Sequence, residues 1–387
     1  LISSIGMGIG IGGSSIISRA LGADKTEKAF LTFGNQICLT LILAIIFVLL
    51  GNFFSVPILN LFGAKGDILP IASDYFAVVI FGVPFLAFAM MGNPVIRAEG
   101  KPKFAMYAMM IPAVLNIILD VIFIKFFDWG MTGAGLATSI SYASCGLYIL
   151  YFFLSRKSEL KILPKNFKLD FKIVREIIAL GGVTIVRQGA ISVLMIVLNY
   201  SLFTYGGEIS ISIFGIINRV MMFALSPVLG VSQGFLPVAG FNIGANKNER
   251  VKEIIKKSIY FGSILGTIIF IGIVIFKEQI IWIFTNDETL LNETPNAMLI
   301  VFLVTPIVTM QLIGSAYFQA AGKAFPALIL TLLKQGIFLI PLAYILPKYY
   351  GVAGVWWSFP IADILSTIIT VLVLRNEVKK NLKVVNG

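Results

Sequence analysis

The stretch GGSSIISRALGADKTE, residues 12–27, recurs 222 residues later as GFLPVAGFNIGANKNE, residues 234–249. Both copies keep two glycines, an alanine, a lysine and a glutamate at the same positions, and each copy lies in a long apolar region. Further matches at this spacing are Phe62 with Phe284, Pro84 with Pro306, and residues 98–101 with 320–323; after a slip of one residue, Gly130 and Gly133 match Gly351 and Gly354. Internal duplication in an apolar chain is typical of secondary transporters.

The composition indicates a membrane protein. Of the 387 residues, 58% are hydrophobic and 13% are charged, whereas about a quarter of the residues of a soluble domain are charged. Cys38 and Cys145 lie in apolar runs, so we expect no disulfide. The sequence has no histidine, which excludes histidine-based catalysis and the commonest transition-metal ligand.

The hydropathy pattern predicts an all-α, polytopic membrane fold. Runs of about 17–25 apolar residues span a bilayer. Eleven such runs are present, near 1–18, 31–54, 72–92, 103–127, 130–155, 174–204, 209–236, 252–276, 296–317, 325–347 and 351–374. We predict an N-terminal bundle over 1–155, a cytoplasmic linker over 156–172 and a C-terminal bundle over 173–387.

The odd number of spans follows from the duplication. At the spacing of 222 residues Leu1 pairs with Phe223, yet the second copy opens near Lys172. About 50 residues of the first copy therefore have no counterpart, and we expect a first helix to be missing from this sequence. Six spans per complete copy predict two six-helix bundles related by a parallel internal repeat, with a central cleft between them.

The charge distribution predicts the orientation. If residues 19–30 are cytoplasmic and the sides alternate, 23 of the 30 basic residues fall on the cytoplasmic side, including those at the C-terminus. The opposite side keeps four, Lys65, Lys125, Lys277 and Lys348. This asymmetry follows the positive-inside rule. The net charge of +11 therefore indicates topology, and we expect no nucleic-acid partner.

Several motifs resemble those of the multidrug and toxic compound extrusion (MATE) family, and the match covers essentially the whole chain. The motifs are GVSQGFLPVAGFNIGANK at 230–247, its partner at 12–28, RAEGK at 97–101, NIILD at 116–120 and GMTGAGLAT at 130–138. The pairs at 187–188 and 218–219 resemble the Gram-positive MepA-like branch. Family members have twelve helices, one more than we count here.

The resemblance implies a monomeric plasma-membrane antiporter that exports amphiphilic, often cationic drugs, driven by H⁺ or Na⁺ and without another cofactor. The positions that match the family's ion-coupling groups are Asn116, Asp120 and Thr138. An acidic residue in the first family helix would fall in the missing segment. Tyr75 and Asn93 lie near positions that line the same cavity in the family.

The residue pattern independently favours an ion site here. Asn116 and Asp120 are four apart and so share a helix face. The rise of about 1.5 Å per residue places Asp120, Asn116 and Thr138 about 10–16 Å below the outer ends of their helices. A carboxylate, an amide and a hydroxyl can bind Na⁺, and the carboxylate can instead take up H⁺. Alternatively, these three side chains only join neighbouring helices.

Other polar side chains within predicted spans are candidates for a substrate cavity. They lie in the second half of the chain, at Gln188, Asn218, Arg219, Gln311, Lys334 and Asp363. Lys334 and Asp363 both fall near mid-span and could pair. Intramembrane polar residues usually have functions, although some of these could instead brace the bundle.

Three other functions fit the sequence less well. A lipid-linked oligosaccharide or peptidoglycan-precursor flippase of the same superfamily would favour a cavity rich in Arg and Lys, and the first half has Asp120 without an intramembrane cation beside it. An intramembrane enzyme would need a nucleophile or metal cluster, which the sequence does not show. A channel is disfavoured because no filter-like motif is present.

Overall fold

The computed structural model describes residues 2–162 and 164–382, without the side chains of residues 164 and 165. All secondary structure in these ranges is helical. The α-helices are α1 Ile2–Gly22, α2 Thr26–Phe53, α3 Ser55–Leu61, α4 Ile68–Ala98, α5 Pro102–Asp120, α6 Gly130–Leu154, α7 Phe171–Gly244, α8 Asn248–Trp282, α9 Glu288–Phe302, α10 Thr305–Ala320, α11 Ala324–Leu332, α12 Ile340–Ile345 and α13 Pro347–Asn381. Two π-helices, Val121–Phe126 and Leu333–Leu339, continue α5 and α11, and Pro164–Phe167 is a 3₁₀-helix.

Most of the predicted spans correspond to long apolar helices. Within the described residues, eight helices are long and apolar enough to cross a membrane, and the pair α9 and α10, bent by 43°, makes nine. Helix α7 has 74 residues, about 110 Å at 1.5 Å per residue, so it is far longer than one bilayer. It breaks at Gly207 (φ 66°, ψ −162°) and supplies two spans. Counting α7 as two spans gives ten. The glycine-rich α1, the first of the eleven predicted spans, is helical but less apolar than these helices. The all-α polytopic fold is confirmed.

Turns at equivalent positions of the two copies have the same backbone conformation. Asp24 and its counterpart Asn246 both have φ 56°, and Gly100 and Gly322 have φ 74° and 77°. In each case the next residue, a lysine, donates its main-chain N–H to a carbonyl five residues earlier. This pattern ends a helix with one residue in the left-handed region, which glycine, asparagine and aspartate tolerate best. The duplication seen in the sequence is therefore also a duplication of local structure.

The glycines of α1 allow neighbouring helices to approach closely. A Cβ atom at Gly10 would lie 2.7 Å from the main-chain oxygen of Met91 in α4, and one at Gly6 would lie 2.9 Å from that of Ala87. A Cβ at Gly12 would collide with the main chain of α7 near Gly181. The glycine run is thus a helix-packing surface, as expected of small residues in membrane helices.

The chain divides into two compact units, residues 1–184 and 185–387. The beginning of α7 belongs to the first unit. Arg19 forms an ion pair with Glu176 over 2.9 Å. The Asn35 side chain accepts a hydrogen bond from the main-chain N–H of Asp170, at 2.8 Å, and donates one to the carbonyl of Lys168, at 3.3 Å. The end of the polar segment that we predicted as a linker is therefore fastened to α2.

Candidate ion-coupling site

Two contacts define how α6 lies against α5 and its π-helical continuation. Near the loop that joins them, a Cβ atom at Gly133 would lie 3.0 Å from the Cβ of Phe123. Farther along, the Cys145 thiol donates a hydrogen bond to the carbonyl of Ala108, at 2.9 Å. The residue number rises along one segment as it falls along the other. The two segments are therefore antiparallel neighbours.

The predicted coupling residues lie between these two contacts. Interpolation between the contacts puts Thr138 level with Asn116, and Asp120 about one turn nearer the loop that joins the helices. All three side chains are half-buried. By this interpolation the three residues fall within about one helical turn of one another along the antiparallel helices α5 and α6.

Hydrogen bonding at this layer is incomplete. Thr138 donates its hydroxyl to the carbonyl of Ala134, at 2.9 Å, and lies 3.4 Å from the hydroxyl of Tyr75 in α4. The Asn116 side-chain nitrogen is buried, and no described residue accepts a hydrogen bond from it. Buried polar groups are normally paired. The unpaired amide of Asn116 is therefore a group whose hydrogen bonding a ligand or water can complete.

Asp120 lies where the helix geometry changes. It is the last residue of α5, and the π-helix Val121–Phe126 begins directly after it. Single π-turns within α-helices are frequent at functional sites because they displace the backbone hydrogen bonds. Among the described residues Asp120 has no ion-pair partner. Its carboxylate therefore lies within a membrane span without a described ion-pair partner. A charge in this position is energetically costly, and such charges are usually functional.

The oxygen atoms in this layer suit a hard monovalent cation. Asp120 supplies a carboxylate, Asn116 an amide oxygen, and Thr138 and Tyr75 hydroxyls. Na⁺ and H⁺ both favour such groups, Na⁺ as a ligand set and H⁺ through the carboxylate. Tyr75, which we expected at the substrate cavity, is thus joined to the coupling layer through Thr138.

Asn93 is engaged in packing rather than open to a cavity. It is 3% exposed. Its amide nitrogen donates to the carbonyl of Ala105 in α5, at 2.7 Å. Its oxygen accepts hydrogen bonds from the Arg97 guanidinium one turn later, from Nε at 3.1 Å and from an Nη atom. The side chain therefore bonds α4 to α5 near their shared turn.

The cavity residues predicted in the second unit have different environments. Gln311 is buried and donates its amide to the carbonyl of Leu330, at 2.9 Å, joining α10 to α11. Gln188 and Arg219 are exposed on α7, and Asn218 is half-buried. Lys334 and Asp363 form an ion pair over 2.6 Å, the contact that the sequence left open.

One buried acid was missed by the sequence reasoning. Glu99, in the turn after α4, is 8% exposed. Its carboxylate accepts hydrogen bonds from the Ser158 hydroxyl, at 2.8 Å, and from the main-chain N–H of Glu159, at 3.1 Å. Burial raises the pKa of Glu99 to about 7, although these hydrogen bonds oppose the rise. The sequence feature that could have identified Glu99 is that the second copy has an uncharged residue, Ala321, at the equivalent position.

Comparison with known proteins agrees with this architecture. The family model MatE matches residues 1–122 and 184–345. The chain is 27% identical over 374 residues to the multidrug export protein MepA of Staphylococcus aureus strain MRSA252, covering 97% of this chain and 82% of that protein.

Solved structures give the same result. An outward-facing multidrug resistance MATE transporter of the MOP superfamily superposes with a TM-score of 0.93 at 27% identity, covering 98% of this chain and 85% of the other. The MATE multidrug transporter DinF-BH, solved with R6G, superposes with a TM-score of 0.89 at 37% identity and the same coverage. The resemblance read from the motifs is confirmed. The chain belongs to the MatE family of multidrug efflux transporters, which are multi-pass membrane proteins.

Proposed function

We propose that this transporter is an antiporter, in which uptake of H⁺ or Na⁺ at Asp120, Asn116 and Thr138 drives export of amphiphilic, often cationic drugs by alternating access. The observation that carries the proposal is the buried Asn116 amide nitrogen without a described hydrogen-bond partner. It lies one helical turn along α5 from Asp120, which has no described ion-pair partner. A purely structural polar cluster would satisfy its buried amide.

The family relatives support the substrate class. The relative from Staphylococcus aureus is a multidrug export protein, and the structure with R6G is a multidrug transporter. A carboxylate that accepts either an ion or a proton can change the electrostatics of a nearby drug site by one charge. A flippase remains the second candidate from the sequence, but no arrangement among the described residues of the first unit favours it.

We further propose that the C-terminus lies in the cytoplasm of a plasma-membrane protein that works as a monomer. The support for this orientation is the 23 of 30 basic residues on that side of the predicted topology. Protease or cysteine-labelling access to the C-terminal tail in oriented vesicles tests it. Labelling from the outer face would contradict the assignment.

The test of coupling is gradient-driven flux in proteoliposomes that contain the full-length protein. Ethidium movement is followed while either a pH gradient or a Na⁺ gradient is imposed in turn. We expect the gradient-driven rate of the Asp120→Asn variant to be at least tenfold lower than that of the wild-type protein. The reason is that a neutral amide can neither bind nor release a proton and binds Na⁺ weakly. The gradient that drives the wild-type protein identifies the coupling ion.

The matched control is Asp67→Asn, which neutralises an exposed acid before α4 in the same unit. This variant should transport at the wild-type rate. Wild-type flux by Asp120→Asn at equal reconstitution would show that Asp120 does not couple transport.

A further inference from the structure

The ion pair between Lys334 and Asp363 lies within the membrane-spanning part of the second unit. Counted from the beginning of α11 at Ala324, Lys334 is about 15 Å deep. Counted from the break at Gly351, Asp363 is about 18 Å along α13. Both therefore lie near the middle of a hydrocarbon layer about 30 Å thick. Charges at this depth are costly and are usually functional.

The corresponding helices of the first unit pack together without such a pair. The duplication aligns Lys334 with Pro112 or Ala113, and Asp363 with Tyr142, on the corresponding helices of the first unit. None of these counterparts is charged, and yet α5 and α6 pack together through the contacts described above. The ion pair is therefore specific to the second copy.

The two partners are unequally covered. The Asp363 side chain is 8% exposed, whereas that of Lys334 is 20% exposed. Ala362, the chain neighbour of Asp363, and Phe359, one turn earlier, belong to the apolar core of this unit. Lys334 is thus the more accessible partner of a buried carboxylate.

The backbone around Lys334 is the kind that can rearrange. Lys334 is the second residue of the π-helix Leu333–Leu339, and such segments are frequent at functional sites. The next residue, Gln335, has a buried side-chain oxygen for which no described residue is a hydrogen-bond donor. This oxygen is an acceptor that a displaced ammonium group can use, and the lysine side chain is long and flexible enough to move.

We propose that Asp363 is a cation-binding carboxylate of the second unit and that Lys334 is a tethered internal cation, which an exported lipophilic cation displaces from it. The tethered cation keeps the buried acid neutralised when no drug is bound. A drug cation exchanges with Lys334, and the total charge near the carboxylate rises by one only while the drug is present. This assignment rests on the proposed export of cationic drugs and adds a binding site to it.

The test is equilibrium binding of tetraphenylphosphonium to the full-length protein in detergent, measured by calorimetry. If Lys334 is paired with the Asp363 carboxylate about nine-tenths of the time, Lys334→Gln should raise the affinity for tetraphenylphosphonium about tenfold, because the competing cation is absent. Asp363→Asn should lower the affinity at least tenfold. The double variant should bind as weakly as Asp363→Asn, since Lys334 acts only through that carboxylate.

Two further variants separate competition from a structural brace. Lys334→Arg keeps the ion pair and can hold the carboxylate with two parallel hydrogen bonds. If Lys334 competes with the drug, this variant should bind tetraphenylphosphonium several-fold more weakly. If the ion pair is only a structural brace, the variant should bind it as the wild-type protein does. This variant also decides the matter if Lys334→Gln does not fold. The control Lys323→Gln removes the ion pair with Glu377 at a helix end of the same unit and should leave binding unchanged.

Unchanged or weaker binding by a folded Lys334→Gln protein, or wild-type binding by Lys334→Arg, overturns the proposal. The result is independent of ion coupling. An Asp120→Asn protein that has lost gradient-driven flux should still show the same Lys334 dependence of binding. Loss of coupling at Asp120 and failure of the Asp363 site are therefore told apart.

Discussion

Glu99 accepts a hydrogen bond from the Ser158 hydroxyl over 2.8 Å, which joins the turn after α4 to the segment that follows α6. The acid is buried and its carboxylate has no ion-pair partner among the described residues. Its protonation state therefore affects how firmly this segment is held on the first unit.

Stability should fall as the pH rises toward neutrality. Burial raises the pKa of Glu99 from 4.5 to about 7. The folded state then binds this proton more tightly than the unfolded state, so the stabilisation is complete below pH 4.5 and is lost as the pH rises to about 7. Between these two pH values the free energy of unfolding should fall by on the order of 3 kcal/mol. Thermal unfolding in detergent between pH 4.5 and 8 measures it.

A Glu99→Gln protein is neutral at every pH and should lose most of this dependence. The control Glu249→Gln changes an exposed acid and should keep the wild-type slope. An unaltered pH slope in Glu99→Gln would show that another group is responsible.

Two adjacent glycines of α7 should respond oppositely to the same change. A Cβ atom at Gly181 would collide with the main-chain oxygen of Gly8, whereas one at Gly182 would have no described atom within 4 Å. Gly181→Ala should lower the free energy of unfolding by about 1–3 kcal/mol, as overpacking does. Gly182→Ala should be neutral or slightly stabilising, because alanine favours helix more than glycine does. Thermal unfolding of the two purified variants compares them, and equal melting temperatures would contradict the close approach of α1 and α7.

Asn116 should be more important for transport than for stability. Its side-chain nitrogen is buried without a described partner, so Asn116→Leu removes an unsatisfied polar group and should keep or raise the free energy of unfolding by about 1 kcal/mol. The same change removes a proposed ligand of the coupling ion. Drug efflux should therefore fall while the melting temperature does not.

Thr294→Val is the comparison for this effect. The Thr294 hydroxyl is also buried without a described partner, but it lies in α9 of the second unit. We expect greater or unchanged stability with normal efflux. If the Asn116→Leu protein also showed normal efflux, Asn116 would not be a ligand of the coupling ion.

Asn93 should behave as a structural residue. Asn93→Ala leaves the carbonyl of Ala105 and the Arg97 guanidinium without this partner, and the cost of such a buried loss is about 1–3 kcal/mol. Asn52→Ala removes an exposed bond to Val48 within α2 and should cost much less. The yield of folded protein and its melting temperature measure both. Equal losses would show that the α4–α5 bond contributes little.

Much of the fold could be predicted from the sequence because it depends on short segments. The apolar runs, the break at Gly207 between two runs and the duplicated turns at residues 24 and 246 are all local properties of the chain. The depth of Asp120 in its span also follows from counting residues along one helix. These features need no knowledge of which helices are neighbours.

Hydrogen-bond partners could not be predicted in the same way. Asn93, Gln311 and Asp363 look alike in the sequence, as polar residues within apolar runs. The structure places the first two against main-chain carbonyls and the third against Lys334. Helix rotation and register decide these partners, and both depend on side chains far apart in the chain.

The sequence by itself determined that the chain is a duplicated, all-helical membrane protein and that the turn at residue 24 recurs at residue 246, since hydropathy and turn preference act over a few residues. Only the tertiary structure decided that Asn116 is left without a partner and that Lys334 neutralises Asp363. The physical reason is that the partner of a buried polar group is set by which helix faces it, and that depends on the packing of the whole unit.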